Sequence, residues 1–271
     1  MKKTKGEINE GRFTVPYRIY GDAEKSIVCV SGAQQTMAIW RSFVLHFSRD
    51  YRVVVFDPPG QGHARILSGP TAISLDEQVE VLRKIVFATH RDDPVILAAA
   101  SWGTIVAAGF TARYPGMVRK LLLGSFGIKP NKKMLDIIKE GQTLHEQKRG
   151  HQIAQLIVEN FGHRLNDTYK NRILDQFLRM DQEQFGSFYA MSELIENARD
   201  INDHVPLHNI TAQTLVINGE YDDIIDLEDA DIVATRIPDC EVRIVQGAGH
   251  FLHHERERDD ILQMYGEFFS R

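Results

Sequence analysis

Residues 98 to 106 read AAASWGTIV, which sets one serine and one tryptophan between an alanine run and a run of small and β-branched residues. That corner is either a plain junction between a strand and a helix or a turn built to present Ser101 as a nucleophile. A nucleophilic serine at such a turn needs small residues two positions before and two after it, because the backbone is strained and crowded there. Ala99 and Gly103 satisfy this, although the commoner pattern has glycine at the first of these positions. Short motifs of this kind also arise by chance, so the partners of the serine decide between the two readings.

A serine hydroxyl attacks an acyl carbon efficiently only when a base removes its proton and an acid holds that base in the right tautomer. Both are available downstream, in the chain order serine, acid, histidine. TLVINGEYDD sets Asp222 just beyond a strand-like run, with Asp223 as its rival, and EVRIVQGAGHF sets His250 just beyond the next. Gly247, Ala248 and Gly249 give His250 a flexible loop, whereas His253 and His254 read as an exposed pair at the start of the last helix.

The oxyanion formed during attack needs N–H donors aimed at it. Trp102 follows the serine and supplies one; the loop Ser31-Gly32-Ala33-Gln34 supplies the other, with Ala33 nominated and Gln34 as the alternative. Ser101, Asp222 and His250 are thus the candidate triad, with Ala33 and Trp102 as the oxyanion hole, and this chemistry calls for no cofactor and no metal. Asp57, Gly60 and Gly62, within FDPPGQGHAR, read as a turn beside the site.

A sheet must carry these residues. Between 12 and 125, runs rich in Val and Ile alternate with helical patterns, the signature of a mainly parallel sheet with crossover helices. Strands are expected at 12–20, 26–32, 51–57, 94–100, 118–124, 214–220 and 241–247. Ser74 with Glu77 forms a capping box for a helix to Thr89, with Val79, Leu82 and Val86 on one face, and Glu255 to Phe269 reads as a closing amphipathic helix. After Ser125 the strand rhythm stops for far longer than an ordinary connection. The expected fold is α/β, a mainly parallel central sheet flanked by helices, with its core in 1–125 and 208–271 and a helical cap in 126–207.

The bulk numbers fit this. A chain of 271 residues that is 43% hydrophobic and 25% charged suits one large soluble domain, and its net charge of -5 gives no reason to expect nucleic acid. The longest mostly apolar stretch, Val95 to Phe110, is too short to span a membrane and is broken by Ser101, Gly103 and Thr104. Lysines open MKKTKGEINE, but acidic and polar residues follow where a signal peptide would be apolar. Cys29 sits in an apolar run and Cys240 in a turn-like stretch after Pro238, which sets no disulfide framework; the expected location is the cytoplasm.

The chain resembles the α/β-hydrolase superfamily over nearly its whole length, and within it is similar to the RhlA/PhaG group of β-hydroxyacyl transferases. The resemblance is carried by Ala100-Ser101-Trp102-Gly103, Val54-Val55-Phe56-Asp57 with Pro59, Ile217-Asn218-Gly219 followed by Asp222, Glu228-Asp229-Ala230, and Gly249-His250-Phe251-Leu252. It departs at Thr104, where those relatives have a second glycine, and in the turn Gln61-Gly62-His63-Ala64. The resemblance implies transfer of a (β-hydroxy)acyl chain from an acyl thioester or ester through Ser101, with an acyl-carrier protein or CoA as a candidate carrier. The alternatives are a carboxylesterase or thioesterase, or a ligand-binding protein on the same fold. Ten basic residues between Lys129 and Arg179 could steer an acidic carrier, or simply form a solvated face.

Overall fold

The computed structural model describes residues 2–89 and 94–271. Lys3–Glu10 (β1) and Phe13–Tyr20 (β2) form an antiparallel hairpin, followed by Ser26–Val30 (β3), Arg41–Phe47 (α1), Arg52–Phe56 (β4) and the short Arg65–Ile66 (β5). Leu75–Thr89 (α2), Val95–Ala100 (β6), Trp102–Arg113 (α3) and Val118–Gly124 (β7) come next. The strands run in the order β1-β2-β4-β3-β6-β7, continued by Gln213–Gly219 (β8) and Cys240–Val245 (β9), with β5 on β2. Along this order, every neighbouring pair from β4-β3 to β8-β9 is parallel. These strands are near-continuous apolar runs because both faces of a parallel sheet are covered.

Alternate residues feed two cores. Val28 and Val30 face one cluster with Leu82, Ile85, Val106 and Phe110 from α2 and α3. Ile27 and Cys29 face the other, with Phe43 and Phe47 from α1 and the closing helix Arg258–Ser270, α9 here once Ala230–Arg236 is counted as α8. The capping box of α2 is present: Glu77 N–H donates to Ser74 Oγ at 3.2 Å and Ser74 N–H to Glu77 Oε2 at 2.9 Å. Val79, Leu82 and Val86 are buried as their spacing predicts.

Between β7 and β8 lie four helices, Lys132–Glu146 (α4), Gly150–Phe161 (α5), Asp167–Leu178 (α6) and Gln182–Asn197 (α7). Asn131, Asn166 and Asp181 cap three of them, and Ile153, Ile157, Phe177, Phe185 and Tyr189 form a core belonging to these helices. Among the described residues, no helix is long and apolar enough to cross a membrane.

Three expectations are corrected. Cys240 opens β9 and is not in a turn. α9 begins at Arg258, three residues later than its amphipathic pattern suggests, because the preceding turn folds inward. Consequently His253 is not exposed: it is buried, its ring 4.7 Å from that of Trp40 and 5.7 Å from Tyr265. The surface-pair reading fails for His254 too, whose ring stands edge-on to Tyr169 at 4.7 Å.

Burial pushes His253 down to about 3, and burial with the nearby Arg172 and Arg258 pushes His254 down to about 4. Both imidazoles fold neutral, so the unfolded chain binds more protons once the pH falls below the ordinary value of about 6.5. Stability from these groups is fully present above that value and is lost as the pH drops toward 3. His253→Phe, which keeps an aromatic ring against Trp40, is expected to flatten the fall of melting temperature between pH 6.5 and 4. An unchanged slope would show that His253 is not held neutral.

Candidate active site

Consecutive strands β3 and β4 lie to one side and β6 to the other, so the sheet reverses its winding between β3 and β6. Ligands of open α/β sheets bind at such switch points, beyond the carboxyl ends of the strands. The loop after β3 carries Ala33 and the turn after β6 carries Ser101, so both nominated elements arrive at this crevice.

Ser101 takes φ 50° and ψ −127°, a left-handed conformation that an L residue adopts only under constraint. Three features impose it. The Ser101 N–H donates to Gly124 O at 2.8 Å, tying the turn to β7. The Thr104 hydroxyl donates to Ser101 O at 2.5 Å, which gives this threonine a structural role in the turn. A side chain at Gly103 would meet Val30 O at 2.5 Å and Ser31 O at 2.6 Å, so only glycine lets α3 start this close to β3. Trp102 is anchored by its indole N–H donating to Gln78 Oε1 at 2.8 Å.

His250 reaches the same point from the loop after β9. Its Nε2 lies 2.9 Å from Ser101 Oγ and its Nδ1 2.8 Å from Asp222 Oδ2. The structure therefore brings together Ser101, His250 and Asp222 in one hydrogen-bonded line, with the Asp222 side chain fully buried and that of His250 only 4% exposed. Gly219 allows the two loops to touch, since a Cβ there would stand 2.4 Å from Gly249 O. Asn218 pins the end of β8, its amide exchanging hydrogen bonds with the Phe126 backbone at 2.8 and 3.0 Å. Asp223 goes elsewhere: half exposed, it pairs with Lys133 Nζ at 2.7 Å.

Ala33 and Trp102 line the same cavity as Ser101. Gln34, beside Ala33, has φ 53°, and its backbone carbonyl accepts from Gln176 Nε2 of α6. Asp57 is fully buried and accepts from Met37 N at 2.7 Å and His63 N at 3.0 Å, so the turn that carries it braces the loop after β3. Gly60 and Gly62 supply the left-handed positions of that turn.

The cavity in front of Ser101 measures about 350 Å³, and apolar side chains of α4 to α7 form a large part of its wall. Leu156, Phe161, Ile173, Phe177, Phe188 and Met191 line it, so these side chains serve the cavity as well as the helical layer. Among the described residues, five of the ten basic residues between Lys129 and Arg179 are in ion pairs: Lys129 with Asp229, Lys132 with Asp136, Lys133 with Asp223, Arg164 with Glu255, Arg179 with Asp175. Glu255, which the sequence pattern places at the start of the closing amphipathic helix, is not flagged as a site residue by the sequence. The residue is buried against the His250 loop, and a lone acid near a helix start carries no signal of that fold-back.

Comparison with known proteins agrees with this architecture. A profile of the alpha/beta hydrolase fold matches residues 25–257. The (R)-3-hydroxydecanoyl-ACP:CoA transacylase of Pseudomonas aeruginosa is 24% identical over 252 residues, 91% of this chain and 82% of that protein. A monoacylglycerol lipase of Homo sapiens is 23% identical over 264 residues, 91% of this chain and 76% of the relative. Among solved structures, an alpha/beta hydrolase enzyme from a Medee basin deep-sea metagenome library superposes with a TM-score of 0.84 at 18% identity, covering 98% of both chains. Its relatives thus include acyl transferases and lipases, and the chain belongs to the α/β-hydrolase fold family.

Proposed function

We propose that this protein is a serine acyl-enzyme catalyst that moves a (β-hydroxy)acyl chain from a thioester or ester to an acceptor. The observation that carries the proposal is the line Ser101–His250–Asp222 ending at an apolar cavity. His250 Nε2 takes the Ser101 proton as Oγ attacks the acyl carbon, and Asp222 holds Nδ1–H and the imidazolium that forms. The N–H groups of Trp102 and Ala33 hold the oxyanion. Collapse expels the thiolate or alkoxide, which takes the proton from His250, and an acceptor hydroxyl, thiol or water then repeats the sequence in reverse.

The four helices between β7 and β8 act in this reading as a cap on the hydrolase core, giving the chain a place out of water. Burial of a methylene contributes about 0.8 kcal/mol, or roughly fourfold in binding. The expected result is a rise of about that factor in kcat/KM per added methylene until the cavity is filled. A flat dependence on chain length would remove the acyl chain from the cavity.

Acyl-carrier protein or CoA is the carrier that the transacylase relatives suggest, and the two free cysteines fit a reducing, cytoplasmic setting. Burial pushes the Cys240 thiol up to about 12 and that of Cys29 well above its ordinary value, so neither competes as a nucleophile. Hydrolysis is the second reading, supported by the likeness to monoacylglycerol lipase. Mass spectrometry of the products from a β-hydroxyacyl carrier-protein thioester, with Ser101→Ala as control, separates them. An acyl group on a new acceptor supports transfer, free acid alone supports hydrolysis, and no Ser101-dependent product would leave a binding protein.

A further inference from the structure

His250 hangs from a loop rich in glycine, yet its imidazole must be held within tenths of an ångström to serve Ser101 and Asp222 together. The side chain that holds the loop is Glu255, only 2% exposed. Its carboxylate accepts from Gly249 N–H at 2.6 Å and Phe251 N–H at 3.2 Å, the amides on either side of His250. Ser125 Oγ donates to His250 O at 2.8 Å from a third direction, so the backbone from Gly249 to Phe251 is held by three hydrogen bonds.

The four-helix insertion reaches this grip at Arg164. Arg164, between α5 and α6, places Nε 3.7 Å from the Glu255 carboxylate. Its guanidinium lies 4.6 Å above the Tyr221 ring, next in sequence to Asp222. Its Cδ fills the space into which a side chain at Gly249 would point, 3.0 Å from that position. Arg164 thus rests at once on the loop carrying Asp222 and on the clamp around His250.

We propose that Glu255 is a positioning residue for His250 and that Arg164 is the contact through which the insertion keeps it in place. The proposal rests on Ser101, His250 and Asp222 acting as a triad. Burial, with Glu257 beside it, pushes the Glu255 carboxyl above its usual range against the pull of Arg164 and the two amides. A carboxyl group buried at that cost and aimed at two backbone N–H groups is poorly explained by packing, since an apolar side chain would fill the space more cheaply. The insertion thus walls the cavity and, through Arg164, also sets the histidine.

The test is the rate at which a fluorophosphonate labels Ser101 in the full-length chain, measured against pH, with the labelled peptide identified by mass. Glu255→Gln keeps the shape but sets an N–H against an N–H, and is expected to slow labelling by at least about tenfold. It should also shift the pH midpoint of the reaction without lowering the melting temperature in proportion. Arg164→Met should slow labelling less, and the double variant should be no slower than Glu255→Gln alone, as for residues acting through one another. Wild-type rate and pH midpoint in Glu255→Gln would overturn the proposal, as would a loss tracking the unfolded fraction. Multiplying effects in the double variant would remove Arg164 from it. If Glu255→Gln fails to fold, Arg164→Met alone must still shift the pH midpoint. A wild-type protein that the probe does not label at Ser101 would instead refute the triad itself.

Discussion

Ser101→Ala is expected to reduce kcat by about a millionfold, the loss seen when the nucleophile of a serine triad is removed, while leaving the fold intact. Among the described residues the hydroxyl makes one side-chain hydrogen bond, to His250, so its removal leaves no buried donor stranded there. Stability has a separate readout at this position. With φ at 50°, alanine inherits the strain of the corner, whereas glycine does not. Ser101→Gly should therefore be as inactive as Ser101→Ala and more stable than it by about 1–3 kcal/mol, seen as a melting temperature several degrees higher. Equal stability of the two variants would mean the corner is unstrained, and residual turnover above background in Ser101→Ala would place the nucleophile elsewhere.

The second large effect is at the acid. Asp222→Asn is expected to cost about 10⁴ in kcat, because an amide favours the wrong tautomer of His250 and cannot stabilise the imidazolium. The carboxylate is fully buried and its Oδ1 has no hydrogen-bond partner among the described residues, so its charge is turned toward the histidine alone. Asp223→Asn should change kcat by less than about twofold, since an exposed pair such as that with Lys133 contributes little. The reverse pattern, a large loss at Asp223 and little at Asp222, would reassign the acid.

The difference between these two neighbours shows what a sequence exposes and what it hides. Strands β3, β4, β6, β7, β8 and β9 are legible because apolar runs bounded by turn residues report burial on both faces, and their ends fell within two residues of expectation. The corner at Ser101 is legible because Gly103 is demanded by a close approach, here to Val30 and Ser31. Asp222 and Asp223 both follow β8, and only the three-dimensional path of the loop sends one to His250 and the other to α4.

Local pattern misleads where the chain folds back on itself. His253, His254 and Glu255 form a polar run beside a helix, and helical amphipathicity assigns such a run to solvent. Their burial depends on Trp40 and Tyr265 for His253, on Tyr169 for His254 and on Gly249 for Glu255, all distant in sequence except the last. Cys240 was hidden by the turn chemistry of Pro238 and Asp239, which ends where the ladder with Thr214 begins.

The most direct test of the account is to mix the protein with an acyl thioester, quench in acid within milliseconds to seconds, digest, and weigh the peptides. The account predicts one acyl adduct, on the peptide that contains Ser101, forming no more slowly than product and absent in Ser101→Ala. Product released with no adduct at any time, or an adduct on a different residue, would contradict it.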